Sequence, residues 1–110
     1  MDIFSALAVP TRRKIIELLA RKGETSATDI SDMFDASPPA ISQHLKVLRE
    51  ARLVKVAKKG QLRIYQLDME GMYAFERWTQ ETTRSWSARF DAIDAVLEIE
   101  KKKLLKAKKK

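Results

Sequence analysis

Residues 37–67, SPPAISQHLKVLREARLVKVAKKGQLRIYQL, constrain the fold more than any other stretch of this chain. Ser37 has the chemistry of a helix N-cap. Pro38 follows at the first helical position and Pro39 at the second, where no intrahelical donor is lost. The helix so opened runs to about Glu50, with Ile41, Leu45 and Leu48 at i, i+4 and i+7 on its buried side. Residues 54–59 and 61–67 are β-branched and alternating and bracket Gly60, the pattern of a hairpin. Leu62/Ile64 and Tyr65/Leu67 lie in opposite phases, so the pattern leaves open which face of the second strand is buried. Helix and hairpin together hold seven Lys/Arg against one acid, about +6, whereas residues 1–36 come to about −1 and residues 68–110 to about +2. Two adjacent elements sharing one sign of charge suit a polyanion; a solvated charged face is the plainer alternative.

Upstream, residues 2–8 read as a short apolar helix with Ile3, Phe4 and Leu7 on one side and Asp2 as its cap. Pro10 opens the next helix, whose preceding residue, Val9, cannot cap it. Ile15, Ile16, Leu18 and Leu19 form its buried stripe, and Gly23 stops it. Thr11 and Arg12 sit in its first turn, where free N–H groups help hold a phosphate; Arg13 and Lys14 read as merely solvated. Ser26 with Asp29 forms a capping box for a third helix, ATDISDMF, with Ile30, Met33 and Phe34 facing the core. Two short helices joined by a tight turn, the third and the one opened by Ser37, make a helix-turn-helix pattern.

Outside the buried side of the fourth helix remain Ser37, Ala40, Ser42, Gln43, His44, Lys46 and Arg49. Gln pairs with adenine edges, and Lys and Arg reach guanine or phosphate. His44 is the only histidine in a chain without cysteine, a poor metal site and a better polar or phosphate contact. At the hairpin tip, Lys58, Lys59, Gly60 and Gln61 place two adjacent cations with no nearby acid, either for solubility or for phosphate.

Asp68 reads as the cap of a last helix. Along it Met72, Phe75, Thr79, Thr82, Trp86, Phe90, Ile93 and Leu97 recur close to a heptad seam. From 68 to 100 such a helix measures roughly 50 Å, more than the core of so small a domain can cover. Trp78, Trp86 and Phe90 would stay wet in a monomer, so the expectation is a partner surface, most simply a second copy related by a two-fold axis. A break at residues 82–85, a low-propensity patch, would give two helices instead.

A chain of 110 residues with 45% hydrophobic residues makes one domain, read as residues 1–100. Residues 101–110, KKKLLKAKKK, are a Lys-rich tail that need not be folded. The net charge of +7 favours an acidic partner. Without cysteine there is no disulfide or thiolate metal site. The N-terminus is not a signal peptide and no apolar run spans a bilayer, so the reading is a cytoplasmic protein with no membrane partner. No nucleophile–base constellation, metal-ligand cluster or Gly-rich phosphate loop supports an enzyme, and no cofactor is expected.

The runs ALAVPTRRKIIELL and SDMFDASPPAISQHLKVLREARLVKVAKKGQLRIYQL resemble the ArsR/SmtB family of winged helix-turn-helix transcriptional regulators, a likeness covering roughly residues 3–80. It implies a mainly α fold with a small β-hairpin, in which residues 37–50 are the recognition helix and Lys58, Lys59, Gln61 and Arg63 belong to the wing. It further implies a homodimeric repressor that uses its first and last helices (Ile3, Phe4 and Leu7 with the seam from Met72 to Leu97) and binds double-stranded DNA at a two-fold symmetric site. A winged-helix adaptor that docks proteins without specific DNA binding is the alternative. The departures are chemical. The family's Cys-x-Cys metal motif is replaced by SATDISDMF, and the last helix has carboxylates (Asp91, Asp94, Glu98 and Glu100) but no histidine. The likeness is therefore to members without a metal site, and it names no small-molecule effector. Val9 also stands where the family usually has an Asp cap.

Overall fold

The computed structural model describes residues 2–108. In chain order the elements are α1 (Ile3–Leu7), α2 (Pro10–Lys22), β1 (Thr25–Ser26), α3 (Ala27–Asp32), α4 (Pro38–Glu50), β2 (Val54–Lys59), β3 (Leu62–Leu67) and α5 (Met69–Lys108). They fall into two compact units, Met1–Phe75 and Glu76–Lys110. The fold is a mainly helical winged helix-turn-helix with a small antiparallel sheet.

Within the first unit the helix starts follow their caps. The Asp2 carboxylate accepts from the Ser5 N–H at 2.7 Å, a bond that holds its pKa below the usual carboxylate value. Ser26 Oγ accepts from the Asp29 N–H at 3.1 Å and Ser37 Oγ from the Ala40 N–H at 3.3 Å. No side chain caps α2 at Val9, while Gly23 ends it at φ 75°, a conformation that suits glycine. Met33 was expected in the core beside Ile30, but α3 stops at Asp32 and leaves Met33 47% exposed, with Phe34 half-buried. Ile15 and Leu19 of α2, Ile30 of α3, Ile41, Leu45 and Leu48 of α4, and Leu53 and Val54 are fully buried and form the centre of the core.

The sheet has three strands in the order β1-β3-β2, one more than the expected hairpin. Thr25 pairs with Tyr65 and Ser26 with Ile64, so β3 is central. Val54 faces Leu67 and Val56 faces Tyr65 across the wing. That register settles the phase of β3: Tyr65 is buried and Leu67 half-buried, while Leu62 is exposed. Gly60 turns the hairpin at φ 64° and Gln61 keeps a negative φ, the pattern of a type II′ turn.

The junction between α4 and β2 is built around Arg52, the one described non-glycine residue with positive φ, at 61°. Its N–H donates to the Arg49 carbonyl and the Leu53 N–H to the Leu48 carbonyl, both at 3.0 Å, which closes α4 as a Schellman motif. The Arg52 carbonyl in turn accepts from the Gly71 N–H at 3.0 Å, and its guanidinium meets Glu70 at 2.9 Å. A Cβ at Gly71 would run into the Arg52 carbonyl oxygen, so only glycine admits this approach.

In the second unit every side chain from Glu76 to Ala107 is exposed. α5 is continuous through residues 82–85 and carries on past Glu100 to Lys108. No described helix is long and apolar enough to cross a membrane.

Candidate nucleic-acid interface

The outer face of α4 is set by its buried one. Burying Ile41, Leu45 and Leu48 turns Ser42, Gln43, Lys46 and Arg49 outward, and all four are exposed. Arg63 and Tyr65 stand two residues apart on β3, hence on one side of the strand. These six residues line a single cavity of about 230 Å³ that contains no carboxylate. Tyr65 is not among the contacts expected from the sequence, whose pattern left the buried face of β3 open; it is 5% exposed and also lines this cavity.

The remaining expected residues of α4 divide by role. Ser37 spends its hydroxyl capping the helix, and Ala40 is half-buried. His44 is half-buried beneath α2, where its Nδ1 accepts from Arg12 Nε at 3.2 Å. Accepting requires an unprotonated Nδ1. Burial first, and the Arg12 charge second, lower the pKa of the imidazole. Arg12 also donates to the Ser5 carbonyl at 3.3 Å, so its guanidinium ties α1, α2 and α4 together, with Thr11 half-buried beside it. Arg13 is not merely solvated: it donates to the Leu7 carbonyl at 2.6 Å, near the C-terminus of α1.

At the wing Lys58, Lys59, Gln61 and Arg63 are all exposed. The expectation that no acid lies near the tip is wrong. Lys59 Nζ meets Glu24 Oε2 at 2.9 Å, across 35 positions of the chain. A two-residue strand of Thr and Ser has no pattern of its own, so nothing in the local sequence gives this pair away.

The residues expected to pair two protomers are also placed. Ile3, Leu7 and Met72 pack against the protomer's own core, while Phe4 is 50% exposed and meets Phe75 at a centroid distance of 6.1 Å. Thr79, Thr82, Trp86, Phe90, Ile93 and Leu97 are exposed along α5. Among the described residues no group of three His, Cys, Asp or Glu is placed to hold a metal ion.

The sequence profile described as "Bacterial regulatory protein, arsR family" matches residues 9–56, the segment from the start of α2 into β2. The transcriptional repressor SdpR of Bacillus subtilis is 42% identical over 67 residues, spanning 61% of this chain and 73% of the relative. The HTH-type transcriptional regulator Rv2034 of Mycobacterium tuberculosis is 42% identical over 85 residues, 73% of this chain and 78% of the relative. Among solved structures, an ArsR-like transcriptional regulator from Rhodococcus sp. RHA1 superimposes with a TM-score of 0.74 at 28% identity, covering 86% of this chain and 88% of that one. A possible transcriptional regulator for arsenical resistance does so with a TM-score of 0.68 at 39% identity, covering 74% and 84%. The chain belongs to the ArsR family of winged helix-turn-helix, DNA-binding transcriptional regulators.

Proposed function

We propose that the protein is a cytoplasmic, homodimeric repressor that binds a two-fold symmetric duplex site. α4 enters the major groove, with Ser42 and Gln43 at the base edges. The wing residues Lys58, Lys59, Gln61 and Arg63 follow the backbone or the neighbouring minor groove, and Thr11 and Arg12 lie toward the opposite backbone strand. The observation that carries this reading is the acid-free cationic surface shared by α4 and β3. A chain of net charge +7 has many cations, and here two elements gather three of them around one concavity with no carboxylate among its lining residues.

Dimerisation accounts for the second unit. Trp86, Phe90, Ile93 and Leu97 are 65%, 54%, 52% and 56% exposed and recur on one side of α5 at three- and four-residue steps. A monomer gains nothing from keeping such a stripe in water, whereas a two-fold copy of the same helix buries both at once. Residues 1–100 suffice in this account, and deleting 101–110 leaves specific binding intact while trimming non-specific affinity.

Selection of bound duplexes from random DNA tests the whole proposal. The expected result is a motif with two-fold symmetry whose half-sites lie about one helical turn apart. Retention of no duplex beyond bulk electrostatics would instead leave a protein-docking module.

A further inference from the structure

If α4 occupies the major groove and the wing lies over the adjacent backbone, the sugar–phosphate strand dividing the two must cross between α4 and β3. What it meets there is the 230 Å³ cavity. We infer that this cavity seats one backbone phosphate of each half-site, gripped by Lys46, Arg49 and Arg63 with Tyr65 at its floor; the inference rests on the DNA-binding reading above.

The state of the cations singles the cavity out. At the wing tip Lys59 already has a carboxylate partner in Glu24, and beside α2 the Arg12 guanidinium is already engaged by His44 and Ser5. Among the described residues, Lys46, Arg49 and Arg63 make no ion pair. Three cations gathered without an acid repel one another, and an anion relieves that repulsion. Two are guanidiniums, whose forked donors match phosphate oxygens. Lys46 and Arg49 are three residues apart and so lie on one ridge of α4, while Arg63 approaches from the strand, so the grip closes from two sides. Tyr65 lines the cavity and is held by the core at 5% exposure, so a bond from its hydroxyl to a seated phosphate would cost little side-chain entropy.

The assignment changes the roles of two residues on the expected list. Lys46 and Arg49 hold the backbone and carry no base information, which leaves discrimination to Ser42 and Gln43.

The test uses the full chain and a duplex obtained by the selection above, with each phosphate in turn replaced by an uncharged methylphosphonate. In the wild type, one position per half-site should weaken binding by on the order of tenfold. In Arg63→Gln and Lys46→Gln that position should change affinity less than about twofold, because the partner of the lost charge is already gone. Each variant should lose affinity for all sequences alike and flatten the log–log salt slope by about 0.9 per contact. Tyr65→Phe should likewise lose on the order of tenfold on the intact duplex. Its melting curve is measured alongside, and if it fails to fold the Arg63 and Lys46 variants decide. Replacing chloride by inorganic phosphate at equal ionic strength separates the two sources of the anion. Little change supports the backbone assignment, and a loss beyond about tenfold would assign the cavity to free phosphate. A scan in which no position couples to Arg63 or Lys46, on a duplex the wild type binds specifically, overturns the inference alone. A wild type that prefers no duplex overturns the DNA-binding reading with it.

Discussion

The unit Met1–Phe75 and the unit Glu76–Lys110 follow opposite stability rules. In the first, eight large side chains are fully buried, four helix starts have side-chain caps, and no described buried polar side-chain atom lacks a partner. In the second, every side chain from Glu76 to Ala107 is exposed, with two tryptophans and a phenylalanine among them. The first unit has what a fold needs within itself. A lone amphipathic helix in water draws its stability from packing rather than propensity, and the proposed dimer supplies the surface that the second unit lacks within itself.

The largest effect should come from removing that surface. Trp86→Glu together with Phe90→Glu is expected to give a protomer in sedimentation at micromolar concentration. Operator affinity should fall by ~10²–10⁴-fold as the second half-site becomes a separate binding event. Circular dichroism should still show a folded first unit. The mirror experiment is Leu48→Ala, which should cost ~2–5 kcal/mol of stability through the cavity it leaves. A dimer that survives the α5 double variant would break the contrast between the units.

Next in size is Gly71→Ala. Ordinarily Gly→Ala within a helix stabilises it, but here the new methyl meets the Arg52 carbonyl oxygen and Gly71 also donates to that oxygen at 3.0 Å. Chemical denaturation should show a loss of ~1–3 kcal/mol from the forced shift. A gain would mean that the Arg52 turn yields easily and that the approach of α5 to the end of α4 is not fixed by contact.

These two sites show where sequence reading reaches its limit. Local chemistry was legible: the caps at Asp2, Ser26 and Ser37, the stop at Gly23, the turn at Gly60, and the buried stripes of α2 and α4 all depend on residues within one or two turns. What was not legible joins distant parts of the chain. Gly71 is an unremarkable helical glycine until Arg52 lies against it. β1 is two residues long and exists only because β3 offers an edge. The Lys59–Glu24 and Arg12–His44 pairs span 35 and 32 positions. The burial of Tyr65 rather than Leu62 was decided by register, which two equally apolar phases could not announce. The candidate site was accordingly half legible: the outward face of α4 and the wing cations could be named, but their partners and the cavity between them could not.

The Lys59–Glu24 pair yields a smaller effect. Both side chains are more than half or about half exposed, at 62% and 50%, so the pair contributes at most about 1 kcal/mol to the fold. Glu24→Gln frees Lys59 for phosphate and should tighten binding to any duplex by up to about fivefold at low salt. Removing an acid anywhere on the first unit also favours DNA slightly. The cycle with Lys59→Ala isolates the specific part, since Glu24→Gln should then bring a smaller gain. An equal gain in both backgrounds would mean Glu24 acts only as a general charge.

The smallest effect concerns pH, and it sharpens the contrast because the only histidine belongs to the first unit. Burial first, and the Arg12 charge second, hold the pKa of His44 below its ordinary 6.5, and its Nδ1 accepts from Arg12 in the neutral form. A base whose pKa is lowered on folding takes up its proton earlier in the unfolded chain. Its contribution is therefore complete above about pH 6.5 and is lost as pH falls from there toward the lowered folded value. Melting at pH 7.5 and 5.5 should show a small acid-dependent drop in the wild type that is reduced in His44→Gln and retained in the α5 double variant. Bound DNA should act in the opposite sense. A phosphate near the Arg12–His44 pair favours the imidazolium, so acidification in the same window should tighten the complex while it loosens the free protein. Titration in buffers of different ionisation enthalpy would detect the proton taken up on binding. If binding takes up no proton, or His44→Gln leaves the uptake unchanged, then His44 serves only to hold α2 against α4.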